Sequence, residues 1–161
     1  MKNISFFLVC SILLSCNSVA QDKKKVKKYD IVKTELEWQA QLSEIEYYVL
    51  REAGTERAFT SPLNKNYAAG IYVCAACKTP LFESKHKFDS GTGWPSFDRE
   101  ITGNVAFDVD YTLRYARSEE HCATCGGHLG HVFNDGPSET TGKRHCINGA
   151  ALNFIPKEGS K

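Results

Sequence analysis

Two Cys-x-x-Cys pairs, Cys74–Cys77 and Cys122–Cys125, constrain this 161-residue chain more than any other feature. A CxxC turn aims two thiolates at one point, and two such turns complete a tetrahedron around Zn²⁺. Four sulfur ligands leave no position for water or substrate, so the implied centre is structural, with one Zn²⁺ per chain. Residues 78–121 separate the pairs, 44 in all. That interval is too long for a compact ribbon, so the centre is expected to staple distant strands of one domain. Two disulfides are the alternative in an oxidising compartment. His121 and His128 flank the second pair and are ligands on paper, but a four-cysteine site needs neither.

The first twenty residues read as an address. Lys2 precedes an apolar run from Ile4 to Leu14, the length of a signal h-region and too short for a bilayer core of about 30 Å. Leu13-Leu14-Ser15-Cys16 resembles a lipoprotein box, and Ser18-Val19-Ala20 reads as a small-residue cleavage site. Export is expected by either route, to the periplasm or envelope, with Cys16 the candidate lipid anchor. Residues 21–34 form a basic linker around the run Lys23–Lys28, and residues 35–157 form the domain. Without Lys2, the remainder carries 19 basic and 19 acidic residues. A balanced surface of this kind does not advertise a nucleic-acid partner.

Periodicity sketches the domain. Leu36, Trp38, Leu42, Ile45, Tyr48 and Val49 recur at helical intervals, predicting one helix over 35–53 ended by Gly54. Ser61-Pro62 and Asn64–Asn66 read as turns. Strands are expected at 70–73, 129–133 and 147–155, the last ended by Pro156. Phe107, Val109, Tyr111, Leu113 and Tyr115 alternate with polar residues and predict a long strand over 107–115. Strands dominate after residue 70, so a mainly antiparallel β domain with helical trimming at its N-terminal end is expected.

Two segments crowd reactive residue types together: Phe88-Asp89-Ser90-Gly91-Thr92-Gly93-Trp94-Pro95-Ser96-Phe97, and Gly127 to Pro137 followed by Thr141 to Asn148. With the two CxxC pairs, these resemble the methionine sulfoxide reductase B family, from about Trp38 to Pro156. The resemblance implies two antiparallel sheets with N-terminal helices. It also implies reduction of the R epimer of methionine sulfoxide in oxidised proteins, an oxidoreductase activity on a sulfur group with a disulfide as acceptor.

Cys146 is the one cysteine outside the leader and the CxxC pairs, and the resemblance makes it the nucleophile. A thiol of pKa near 8.5 needs cationic or hydrogen-bonding neighbours to ionise at neutral pH. Arg144 and Asn148, two residues either side, share its face on a strand, whereas His145 faces the other way. By resemblance Arg144 supports the site's charge pattern and Asn148 positions the thiolate. His131 and His128 supply protons to the sulfoxide oxygen, Asp135 orients them, and Trp94, with Phe133, forms the substrate wall. An indole face suits a methyl group beside a polarised sulfur. The product is methionine, leaving a sulfenic acid on Cys146.

Many members of the family carry a resolving cysteine where this chain has Thr92. A hydroxyl cannot form the disulfide, so the sulfenic acid is expected to be reduced by an external dithiol such as a thioredoxin-like protein. The chain is expected to act as a monomer, without an organic cofactor. A zinc-ribbon binding module and a cysteine hydrolase using Cys146 with His131 are the competing classes. The first leaves Trp94, both histidines and Cys146 without a task, and the second predicts an acyl-enzyme.

Overall fold

In the computed structural model of the chain the described residues are 29–113 and 115–159. The apolar leader, Cys10, Cys16 and the lysine run at 23–28 lie outside them. No helix among the described residues is long and apolar enough to cross a membrane.

The expected single helix is two. Helix α1 spans Glu35–Gln41 and α2 spans Glu44–Glu52. Each begins with a reciprocal capping box, Thr34 with Glu37 and Ser43 with Glu46. Such a box satisfies orphan N–H donors at a helix start, so Ser43 starts a new helix where apolar periodicity alone suggests continuation. The two residues between the helices, Leu42 (φ −101°, ψ 146°) and Ser43 (φ −65°, ψ 163°), are extended. Ala53 ends α2 in the left-handed region, and the Gly54 N–H then bonds the Tyr48 carbonyl at 2.9 Å.

The strands form two antiparallel sheets, as expected. Strands β1 (Gly70–Cys74), β2 (Pro80–Glu83) and β9 (Leu152–Pro156) make the smaller, in the order β2-β1-β9. The larger contains β3 (Lys87–Phe88), β4 (Ser96–Phe97), β5 (Val105–Asp110), β6 (Arg117–Cys122), β7 (His128–Phe133) and β8 (Arg144–Ile147), in the order β3-β4-β8-β7-β6-β5. Aromatic packing joins the sheets: Phe82 stacks on Phe97 at 4.4 Å between centroids, and Tyr72 meets Phe97 edge-on at 5.0 Å. Trp38, Val49 and Leu50 bring the helices into the same core.

Three boundaries differ from the periodicity. The strand expected over 107–115 stops at Asp110, whose carboxylate accepts from the Thr112 N–H and hydroxyl. This side-chain turn takes the chain out of the sheet, and Tyr111, Leu113 and Tyr115 are exposed. The strand expected over 147–155 is split by a 3₁₀ turn at Gly149–Ala151, which carries the chain from the larger sheet to the smaller. The last residues assigned to the linker belong to the fold. The Ile31 N–H bonds the Thr124 carbonyl at 3.0 Å, and Tyr29 packs edge-on to His121.

Candidate active site

Cross-strand pairing assembles the site. Ser96, Cys146 and His131 are direct partners across β4, β8 and β7, and Glu119 of β6 pairs with His131. Paired residues project to the same face of a sheet, so this row presents Cys146 beside His131 and Glu119. The next row holds Arg144 opposite Phe133, and Arg117 opposite Asp110. Strands β7 and β8 approach closely at Gly130, where a Cβ would lie 2.0 Å from the Cys146 carbonyl oxygen.

Cys146 is partly buried in a cavity of about 140 Å³ that Trp94, Phe133, His131, Arg117 and Asn148 help to line. Typical ligand pockets are about 300 Å³ or larger, so this one suits a side chain. The loop carrying Trp94 is pinned beside β8 by the Ile147 N–H to Pro95 carbonyl bond, 3.0 Å, and the indole N–H donates to the Glu56 carbonyl at 3.2 Å. Thr92 lies between Gly91 and Gly93, both at positive φ. Its Oγ1 is 3.9 Å from the Cys146 Sγ. The Ser90 hydroxyl links Thr92 (2.8 Å) to Ser96 (2.7 Å).

The thiol's electrostatics are a balance. Burial pushes the Cys146 thiol above its ordinary range, and Arg144 and the Thr92 hydroxyl pull only partly against it. Arg144 is itself clamped: its guanidinium makes two 2.9 Å bonds to Asp135 and lies 4.4 Å from the Phe133 ring centre. Asp135, expected to orient the histidines, is therefore engaged with Arg144. The reason is register, since Phe133 pairs with Arg144 and the turn that follows carries Asp135 back over it.

Asn148 also departs from its expected contact. Its amide oxygen accepts from the Glu56 N–H (3.0 Å), and its nitrogen donates to the Leu129 carbonyl (3.0 Å). It lines the cavity while tying Glu56 to β7. The buried Glu56 carboxylate accepts from the Gly149 and Ala150 N–H groups at 2.6 and 2.8 Å, which fixes the turn leaving Cys146.

The histidines have carboxylate partners that sequence patterning did not single out. His131 Nε2 lies 2.9 Å from an Asp110 oxygen, and His128 Nδ1 lies 2.6 Å from Glu119. The two rings meet edge-on at 5.5 Å. His128 borders a neighbouring groove of about 370 Å³, which shares His131, Arg117 and Thr55 as lining residues with the Cys146 cavity. Burial lowers the His131 pKa against the opposing pull of Asp110. Asp110 also accepts from Arg117 and is held far below the usual carboxylate range, chiefly by Thr112. Arg117 and Glu119 stand two apart on β6, the period-two signal that places both on one face. Their meeting with His128 and His131 depends on strand order.

His145, excluded by alternation, faces away: it is fully buried on the opposite side of the sheet, 2.5 Å from Glu120.

The four zinc candidates converge. All four Sγ atoms lie within 4.8 Å of one another, with Cys74–Cys125 at 3.8 Å and Cys77–Cys122 at 3.5 Å. A tetrahedron with metal–sulfur bonds of about 2.3 Å has edges of about 3.75 Å, whereas a disulfide needs about 2.05 Å. The four thiols are thus spaced for one metal ion and are unbridged.

The SelR domain family model matches residues 42–156. Among curated relatives, the peptide methionine sulfoxide reductase MsrB of Thiobacillus denitrificans is 51% identical over 130 residues, covering 80% of this chain and 98% of its own. That of Chromohalobacter salexigens is 49% identical over 129 residues, covering 80% and 97%. The chloroplastic peptide methionine sulfoxide reductase B1 of rice is 50% identical over 125 residues, covering 77% of this chain and 58% of its own. With the family model matched across residues 42–156 and relatives about 50% identical over four-fifths of the chain, the chain belongs to the methionine sulfoxide reductase B family.

Proposed function

We propose that this protein reduces the R epimer of methionine sulfoxide in oxidised proteins, with Cys146 as nucleophile. The observation that carries the reading is the small cavity that sets the Cys146 Sγ among Trp94, Phe133 and His131. The sulfoxide's methyl group packs on the indole while its oxygen turns toward the imidazole side. The Cys146 thiolate supplies the electron pair, the sulfoxide S–O bond breaks, and the oxygen ends on the cysteine sulfur. One proton from the histidine pair completes the sulfenic acid. Methionine leaves, its sulfur reduced by two electrons and Cys146 oxidised by two.

Thr92 offers no thiol to continue. An external dithiol therefore attacks the sulfenic acid, water departs, and the resulting mixed disulfide is resolved by the partner's second thiol. A thioredoxin-like protein has the required chemistry. The four-cysteine cluster is read as a closed, structural Zn²⁺ site, in which the ion cross-links the loop after β1 to the loop after β6. Residues 1–20 support export, with lipidation at Cys16 or cleavage after Ala20 as the two routes, and the domain acts as a monomer without nucleic acid.

The test is incubation with a peptide methionine sulfoxide and dithiothreitol, followed by separation of the epimers. Loss of the R form alone, abolished in Cys146→Ser, is expected. Loss of the S form, or turnover that survives the substitution, overturns the reading.

A further inference from the structure

The catalytic face contains two carboxylate–imidazole pairs side by side, and each carboxylate holds its ring by one nitrogen and leaves the other unheld. Asp110, the last residue of edge strand β5, takes His131 by Nε2 at 2.9 Å. Glu119, on β6, takes His128 by Nδ1 at 2.6 Å. A carboxylate accepts only, so the ring nitrogen facing it must carry the hydrogen. The tautomer of each ring is thereby set by its partner. His131 is left with Nδ1, on the residue that lines the Cys146 cavity. His128 is left with Nε2, which is buried and meets no hydrogen-bonding partner among the described residues.

We infer that Asp110 and Glu119 are positioning residues for the reduction. They commit His131 to the Nε2–H tautomer and His128 to the Nδ1–H tautomer, and they hold the positive charge when a ring takes a second proton. The inference rests on the proposed reaction at Cys146 and adds what sets the protonation state of its histidine proton donors. In the neutral tautomers, the nitrogens not held by a carboxylate carry lone pairs, and neither can donate to a sulfoxide oxygen. Donation requires the imidazolium. After the transfer the ring is neutral again, its remaining N–H still on the carboxylate, and the proton sits on the oxygen carried to Cys146.

The two carboxylates are not equivalent. Asp110 is built into its place, accepting from the Thr112 backbone and hydroxyl and from Arg117 as well as facing His131. The groups that face His131 are Asp110 from β5, Arg117 and Glu119 from β6, His128 from its own strand and Cys146 from β8. Arg117 and His128 oppose a cationic His131, and Asp110 favours it. Glu119 makes its short contact with His128.

The experiment uses the full chain and two readouts. Long-range proton–nitrogen NMR of the histidines reads the tautomers directly. Single-turnover methionine formation from a saturating R-sulfoxide peptide, measured across pH, reads the proton donor. In the wild type His131 is expected as the Nε2–H tautomer and His128 as the Nδ1–H tautomer. Asp110→Asn is expected to move the alkaline limb of the rate profile down by about one pH unit, with peptide affinity within about twofold. At pH 8 the rate should fall about tenfold. Glu119→Gln should loosen His128 and leave the His131 tautomer unchanged. A wild-type His131 protonated on Nδ1 alone, or an Asp110→Asn profile superimposable on the wild type, overturns the inference. Should Asp110→Asn fail to fold, the wild-type tautomers and the Glu119→Gln spectra still decide it. No reduction of the R epimer by the wild type at any pH would instead refute the proposed reaction, a result the NMR arm separates from failure of the positioning role.

Discussion

Replacing Thr92 by cysteine should convert a cycle that waits for an outside thiol into one that closes on itself. Thr92 Oγ1 lies 3.9 Å from Cys146 Sγ, and an S–S bond needs about 2.05 Å, so the gap to close is under about 2 Å. Room for that shift lies on the Gly91 side of the loop, because Gly93 packs against Phe59 and its carbonyl accepts from the Phe59 N–H. Gly91 and Gly93 flank position 92 at φ +72° and +94°, and a Cβ built on Gly91 meets nothing within 4 Å. In the oxidised Thr92→Cys variant, residues 92–146 form a closed ring. The chain-entropy model assigns a loop of about 55 residues about 4 kcal/mol of stabilisation, and engineered bridges commonly deliver less. For a domain of this size each kcal/mol moves the melting midpoint by about 4 °C, so oxidation should raise it by between about 5 and 15 °C. The chemical assay is a single turnover without reductant. Wild type and variant should each release one methionine per chain. The wild type should then carry a sulfenic acid trapped by dimedone. The variant should instead show no adduct, a mass loss of two hydrogens and a disulfide joining position 92 to Cys146. A dimedone adduct on Cys146 of the variant matching that of the wild type would refute the reasoning, because it would mean that position 92 does not reach the nucleophile.

Three further perturbations test other parts of the structure. Removing the metal with a chelator, or substituting Cys77→Ser, is expected to unfold the domain near room temperature, since structural Zn²⁺ contributes about 10–16 kcal/mol in small zinc peptides, as much as a typical domain's whole stability. Metal analysis should find one zinc per chain, and an unchanged melt in the metal-free protein would contradict the staple. Acid should destabilise the fold through Asp110, whose folded pKa is depressed by Thr112, His131 and Arg117. Its contribution is complete above the ordinary aspartate pKa of about 4 and is lost as pH falls toward the folded value. The melting midpoint should therefore drop as pH falls below about 4, less steeply in Asp110→Asn, and equal slopes would exclude this source. Gly130→Ala places a Cβ against the Cys146 carbonyl and should cost about 1–3 kcal/mol of overpacking strain, together with most of the turnover. A variant with wild-type melting and rate would show that β7 and β8 can separate freely.

Much of the fold was legible because local chemistry marks it. The CxxC spacing announced the four-cysteine cluster, and strand periodicity placed β1 and β7. What failed were boundaries where a side chain overrides periodicity. Ser43 starts a second helix because its hydroxyl and Glu46 satisfy the opening N–H groups, although the apolar period runs straight through. Asp110 ends β5 by capturing Thr112, although the alternation of Phe107, Val109, Tyr111, Leu113 and Tyr115 continues. In both cases one polar side chain supplies hydrogen bonds that the regular element would have needed.

The site divides in the same way. Cys146, Arg144 and the two histidines stand out by residue type and spacing, and alternation correctly sends His145 to the buried face, against Glu120 and Phe82. The carboxylates are different. Asp110 is one of the polar alternates of the strand expected over 107–115, Glu119 falls in no expected element, and their distance along the chain from His131, 21 and 12 residues, carries no signal. They reach the histidines because the larger sheet runs β8-β7-β6-β5: Glu119 lies in the row of Cys146 and His131, and Asp110 lies in the next row, opposite Arg117. Strand order is a property of the whole chain and is not written in any local window. A slip of one residue in the β7–β8 ladder would turn Cys146 toward the core and His145 toward the cavity. Register therefore selects which of the two adjacent residues meets the substrate, and the close approach at Gly130 is one of the contacts that holds it.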